Sequence, residues 1–160
     1  MVKDDVQKIQ IDIEADGQSA LSLMLCRDGT IGRQGNGNLS PDKVSVLGAT
    51  DGAEFKKLIE LVDERVFAHQ GIFDYPNKQG IPIKYSVVFI GEKPNLRVFE
   101  FRLGLENKDV GDLLPYFDGL IKNAAALTDS WYSKAVAEKS VAQPAENIVP
   151  PSKKPWWQVW

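Results

Sequence analysis

The clearest alternation of apolar and polar positions lies in residues 81–105, where two apolar-rich runs flank a short polar break. In each run every second residue is apolar, and alternate residues of a β-strand point to the same face of a sheet. The break contains Gly91, Pro94 and Asn95, which are residue types that favour turns. The pattern therefore predicts a long antiparallel hairpin whose inner face forms the floor of the core.

Four further strands are predicted upstream of this hairpin. Residues 7–14 and 20–26 alternate in the same way, and an Asp-Gly pair follows each run as a turn signal. A third strand is predicted to begin at Thr30, and a fourth is predicted over residues 44–47. Residues 71–80 are rich in Gly, Asp, Pro and Asn, which predicts a loop before the central hairpin.

The helices are predicted from apolar positions that recur three or four residues apart. Such positions run from Phe55 to Val66, and Asp51 resembles a capping residue, so an amphipathic helix is expected here. A second helix is predicted over about residues 113–127, and a short third one after Asp129. The predicted fold is α+β. It has an antiparallel sheet of about six strands in the order ββββ-α-ββ-α, with two or three helices on one face.

The chain is predicted to have three parts. Residues 1–140 are long enough to bury a core and are expected to form a single α+β domain. Residues 141–155 contain four prolines, which favours an extended Pro-rich linker. Residues 156–160 form an aromatic C-terminal tail that holds three of the four tryptophans.

Charge and hydropathy limit the compartments and partners that we expect. Apolar residues make up 43% of the chain and charged residues 26%, which is typical of soluble globular proteins. Residues 1–140 carry a net charge of −4 and residues 141–160 carry +1. Nucleic-acid binding is not expected, because binding to phosphates needs a basic face. No apolar run predicts a transmembrane segment or a secretory signal, so the predicted location is cytoplasmic.

The C-terminal tail is the least ordinary candidate site, because Lys153 and Lys154 precede Trp156, Trp157 and Trp160. Burying three indoles removes about 450–750 Å² from water, or about 11–19 kcal/mol, while ordering eight residues costs about 12 kcal/mol. These terms nearly cancel, so four alternatives stay open. The tail folds back on its own domain or a sister subunit, docks as a linear motif on another protein, makes weak contact with a membrane surface, or is an unselected end.

Residues 32–38 form a second candidate, a glycine-rich loop in which Arg33, Gly35 and Asn36 could contact an anion or a partner. Phosphate-binding loops open a helix, but an extended run is predicted after this one, so a bulged or frayed sheet edge is favoured. The single cysteine, Cys26, is expected to be inert and in the core. His69 is the only histidine, and no cluster predicts a catalytic, cofactor-binding or metal-binding site.

These features favour a non-enzymatic, protein-binding protein of bacterial type that needs no cofactor. A toxin-neutralising immunity protein is one such role, because acidic charge speeds the capture of basic partners. The expected partner is therefore another protein, such as a toxin, or a second copy of this chain. One alternative is an oligomeric structural or adaptor protein that docks through its Trp-rich tail. The other is an anion or nucleotide binder that uses the loop of residues 32–38.

Overall fold

The computed structural model describes residues 1–38, 44–92, 95–107 and 109–142. These residues form seven β-strands and two α-helices, together with short 3-10 turns. The elements are β1 (Val6–Ala15), β2 (Gln18–Cys26), β3 (Thr30–Gln34), β4 (Ser45–Ala49), α1 (Ala53–Leu61), β5 (Gly71–Asp74), β6 (Pro82–Gly91), β7 (Leu96–Gly104) and α2 (Leu120–Ala142). The strands form one sheet in the order β4-β3-β2-β1-β6-β7-β5.

The α+β class is as predicted, but the sheet is larger than expected and is mixed rather than purely antiparallel. The additional strand is β5, which pairs in parallel with β7 and lies in the segment predicted as a loop. Its four residues are too few to show an alternating pattern beside the turn-forming residues that follow them. Phe73 anchors the strand, because its ring stacks on those of Phe99 and Phe101 at centroid distances of 6.3 and 5.2 Å.

The predicted hairpins are present. Strands β6 and β7 pair antiparallel over residues 82–104, with Tyr85 opposite Phe101 and Val87 opposite Phe99. Strands β1, β2 and β3 form two consecutive hairpins, and β3 begins at Thr30 as expected. Strand β4 pairs with β3 along five residues, so the segment from Thr30 to Gln34 is a regular interior strand despite Gly32.

The helix predictions were right in position and wrong in extent. Helix α1 ends at Leu61, and a separate 3-10 turn, Glu64–Ala68, follows it; there Asp63 accepts a hydrogen bond from the backbone N–H of Arg65. The second predicted helix begins later, at Leu120, after 3-10 turns around Val110–Asp112 and Pro115–Phe117. It then continues through Asp129 to Ala142, so the short third helix does not exist as a separate element.

The core lies between one side of the sheet, here called the covered face, and the two helices. Its strand residues include the isoleucines of β1, the leucines of β2 and the phenylalanines of β6 and β7. Phe117 packs edge-on against Phe99 and Phe101, at centroid distances of 4.6 and 4.9 Å. The opposite side of the sheet is here called the open face, because both described helices pack on the covered face.

Candidate binding surface

At the predicted loop site, the Arg33 side chain points into the covered face of the sheet. Arg33 lies on β3, and its side chain is only 2% exposed. Its Nη1 donates to Asp129 Oδ1 at 2.6 Å, to Thr128 Oγ1 at 2.9 Å and to the Ala125 carbonyl at 3.1 Å. Its Nε donates to the Gly35 carbonyl at 3.2 Å. The guanidinium group therefore ties the loop to α2, and this geometry does not favour an anion site.

The other two loop candidates also have local structural contacts. Gly35 has φ +80°, and a Cβ built on it would lie 2.4 Å from the carbonyl oxygen of Ala20. Asn36 accepts a hydrogen bond from the backbone N–H of Asn38 through its side-chain oxygen, at 3.0 Å. Strand β3 is paired on both sides, and the backbone N–H of Gly37 donates to the Ala20 carbonyl at 3.0 Å. This segment is therefore held against β2 rather than forming the bulged or frayed edge that we expected.

The predicted tail contacts Lys153, Lys154, Trp156, Trp157 and Trp160 lie outside the described residues. Among the residues that are described, no three His, Cys, Asp or Glu side chains are grouped closely enough to hold a metal ion. His69 is exposed and stacks on Tyr116 at 5.9 Å. Neither of the two described helices is long and apolar enough to cross a membrane.

The open face presents a contiguous apolar patch, which the sequence analysis did not single out. It consists of two directly opposed pairs on β6 and β7, Val88 with Val98 and Ile90 with Leu96. Val98 is 41% exposed and Leu96 is 45% exposed. Their neighbours in the strands alternate into the core, so these four side chains point away from both helices. We call these four residues the apolar patch.

A second apolar contact lies near the β4 edge of the same face. Met24 and Leu47 flank Gly32, and the Met24 Cε and Leu47 Cδ1 atoms each lie 3.4 Å from the position that a Cβ on Gly32 would occupy. A Cβ at this position would meet both side chains at ordinary van der Waals distance, so Met24 and Leu47 lie on the two sides of Gly32 on the open face. Leu47 is 71% exposed. Gln10 lies between Met24 and Val88 in the register and separates this contact from the apolar patch.

The other half of the open face carries a charged ladder, defined as Glu14, Lys84, Arg102 and Asp74 on adjacent strands. Lys84 Nζ lies 2.6 Å from Glu14 Oε2, and Arg102 Nη1 lies 3.7 Å from Asp74 Oδ2. The hydrogen bond to Glu14 raises the pKa of Lys84. A hydrogen bond from Lys78 lowers the pKa of Asp74.

A shallow depression of about 280 Å³ adjoins this ladder and is lined in part by Lys78, Lys84 and Arg102. All three cationic groups already have carboxylate partners, at distances between 2.6 and 3.7 Å. The depression therefore offers little unpaired positive charge for an anionic ligand.

Asp12 differs from the carboxylates of the ladder, because its side-chain hydrogen-bond partners are neutral. Its Oδ1 accepts a hydrogen bond from Ser22 Oγ at 2.5 Å, and its Oδ2 accepts one from Gln10 Nε2 at 3.0 Å. No lysine or arginine of the described chain forms an ion pair with it. The open face thus combines an apolar patch with a central carboxylate that two neutral side chains hold in place.

Cys26 also lies on the open face, and it is half-buried rather than part of the core as expected. It faces Lys8 in the register, and Lys8 in turn faces Ile90 of the apolar patch. Burial raises the pKa of the Cys26 thiol, and the negative charge of Asp28 adds to this effect. Cys26 therefore lies near the apolar patch as a thiol that stays protonated at neutral pH.

Comparison of the sequence with protein-family models and with curated proteins found no significant match. The alternation of β6 and β7 could have revealed the apolar patch in the sequence, since residues 88, 90, 96 and 98 are apolar where a wet face would be polar. That signal does not say which of the two faces the helices cover.

Proposed function

We propose that this chain is a non-enzymatic protein-binding protein and that its partner docks on the open face of the sheet. The observation that carries the proposal is the apolar patch beside the Asp12 carboxylate. Apolar side chains that form a contiguous exposed group on a soluble domain commonly mark a contact surface. The patch lies on rigid paired strands, so its shape is set before a partner arrives.

The size of the open face supports a protein rather than a small ligand. Seven strands at about 4.8 Å spacing give a width of about 29 Å, and the long strands are about 30 Å high. The face therefore offers at most about 900 Å², against the roughly 800 Å² that each partner contributes to a standard protein interface. The surface is the wide face of a twisted sheet, which differs from the concave pockets that enclose small molecules.

The charge of the chain indicates what kind of partner would fit. Residues 1–140 carry −4, and Asp12 lies close to the apolar patch without a cationic partner among the described residues. A partner that presents a lysine or arginine beside apolar side chains would complement both features. Capture of a basic toxin by an immunity protein is one physiological setting that has this chemistry.

The test is affinity capture with the full chain, followed by identification of the captured protein and calorimetry on the purified pair. Leu96→Glu places a charge in the apolar patch, while Leu61→Glu places the same charge on α1, where Leu61 is 60% exposed. We expect Leu96→Glu to raise the Kd by about thirtyfold or more, as for a central contact residue. Equal affinity for the two variants would overturn the proposal.

A further inference from the structure

The C-terminal half of helix α2 lies against the β4 edge of the sheet. Tyr132 Oη donates to the Val44 carbonyl at 2.9 Å, and Lys139 Nζ donates to the Ser45 carbonyl at 2.6 Å. These two contacts hold the last turns of the helix against the start of β4. The helix ends at Ala142, three residues after Lys139, so the last described residues of α2 lie near the start of β4.

The remaining 18 residues are long enough to cross the open face. Five strand spacings separate β4 from β7, which is about 24 Å. A segment of 13 residues, the number from 143 to 155, can reach at most about 40 Å if it is extended at 3.1 Å per residue. About 16 Å therefore remains for rounding the sheet edge before the first tryptophan, Trp156, is reached.

The chemistry along this route matches the segment. The exposed Leu47 and its neighbour Met24 come first, Asp12 lies near the middle strand, and the apolar patch lies beyond it. The segment offers Lys153 and Lys154, which could neutralise Asp12, and then three indoles that could cover the patch. Its charge of +1 opposes the −4 of residues 1–140.

We propose that residues 153–160 dock on the open face of their own chain, with the lysines near Asp12 and the tryptophans on the apolar patch. The same chain is favoured over a second copy, because tethering raises the local concentration of the segment to about the millimolar range. An external protein partner would then have to displace this segment. The docking itself does not depend on the existence of such a partner.

Cys26 provides a built-in reporter, because it lies on the open face and is the only cysteine. The experiment measures the rate at which N-ethylmaleimide, a neutral thiol reagent, modifies the unchanged chain of residues 1–160. The matched variant is the same chain with Trp156→Ala, Trp157→Ala and Trp160→Ala. If the segment covers the face for nine-tenths of the time, the natural chain reacts about tenfold more slowly than the variant.

A second pair of variants, made in the same chain of residues 1–160, locates the docking site. Val98→Gln changes the apolar patch, whereas Leu61→Gln makes the same kind of change on α1. We expect Val98→Gln to accelerate thiol modification and acrylamide quenching of tryptophan fluorescence, and Leu61→Gln to leave both unchanged. Circular dichroism checks that each variant keeps its fold.

Two outcomes would overturn the inference. The first is an equal thiol rate in the natural chain and the triple tryptophan variant. The second is protection that disappears on about hundredfold dilution, since a tethered segment is insensitive to concentration and that result would assign the contact to a second copy. Either outcome leaves the calorimetric test of partner binding intact, so the two proposals can fail separately.

Discussion

The two faces of the sheet are built from the same alternating pattern, but apolar side chains are buried on the covered face and partly exposed on the open face. On β7 the covered face receives Phe99 and Phe101, which are fully buried, while the open face receives Val98 and Glu100. Both faces contain apolar side chains, but on the covered face helices and rings enclose them on every side. Alternation therefore predicts that two faces exist, and packing decides how much each side chain contributes to stability.

The largest difference in stability is expected between substitutions at two adjacent residues of β7, Phe99 on the covered face and Val98 on the open face. Phe99→Ala should lower the free energy of unfolding by about 3–5 kcal/mol, because the change leaves a cavity among Phe73, Phe89 and Phe117. Val98→Ala should lower it by less than about 1 kcal/mol, since the side chain is already partly in water. Urea unfolding of both variants measures the difference, and similar losses would show that the open face is packed as well.

The polar contact between the covered face and α2 should have the next largest effect. Arg33→Met should lower the free energy of unfolding by about 3 kcal/mol, because it removes the donors to Gly35, Ala125 and Thr128 in a buried site. Arg65→Met is the control, since that guanidinium group is exposed, pairs with its neighbour Asp63 and lies over the Tyr116 ring. Its midpoint in urea should fall much less than that of Arg33→Met, and a comparable loss in both variants would contradict the structural role of Arg33.

Substitutions at Gly35 and Gly17, which have similar φ angles, distinguish the cost of backbone strain from the cost of a steric clash. Gly35→Ala should lower the free energy of unfolding by about 2 kcal/mol or more, because a left-handed φ and a 2.4 Å approach to the Ala20 carbonyl act together. Gly17→Ala should lower it by about 1 kcal/mol, because φ is +73° but no atom lies within 4 Å of the new Cβ. Thermal unfolding monitored by circular dichroism gives the ranking, and the reverse order would show that the loop moves to accept a side chain.

The smallest expected effect concerns Tyr85 on the covered face at alkaline pH. Burial, and then the negative charge of Asp109, raise the pKa of Tyr85. Above about pH 10 the unfolded chain loses this proton while the folded chain keeps it, so stability falls as pH rises. Relative to Tyr85→Phe, the natural chain should lose up to about 1 kcal/mol more per pH unit between about pH 10 and 12. The free energy of unfolding of both proteins is measured by urea titration at each pH. If it falls with pH at the same rate in both, Tyr85 does not make this contribution.

Local patterns accounted for most of the sheet but not for its edge. The runs at residues 7–14, 20–26 and 81–105 predicted four of the seven strands, and the expected start at Thr30 and the run at residues 44–47 predicted two more, because alternation and Asp-Gly turns act over a few residues. Strand β5 was missed, because four residues that pair in parallel with residues 28 positions later leave no local signal.

The helix boundaries show the same limit. Apolar spacing placed the buried residues Phe55, Leu58, Val62 and Val66 correctly, but it could not show that α1 stops at Leu61 and a 3-10 turn continues the same apolar side. Asp129 has the chemistry of a capping residue, yet it is committed to Arg33, which lies 96 positions earlier in the chain. A cap and an ion pair use the same oxygen atoms, so only the fold distinguishes them.

Sequence patterns alone predicted the strands with strong alternation and the hairpin turns, and they gave the net negative charge of residues 1–140 and the tryptophan-rich residues 156–160. These features depend on residues that are close together in the chain, so local geometry and composition are enough to predict them. Only the tertiary structure decided that Arg33 is buried, that β5 joins the sheet in parallel, and that Val88, Ile90, Leu96 and Val98 meet on the uncovered side. Each of these facts depends on which distant segments come into contact, and that depends on how the whole chain best buries its apolar surface.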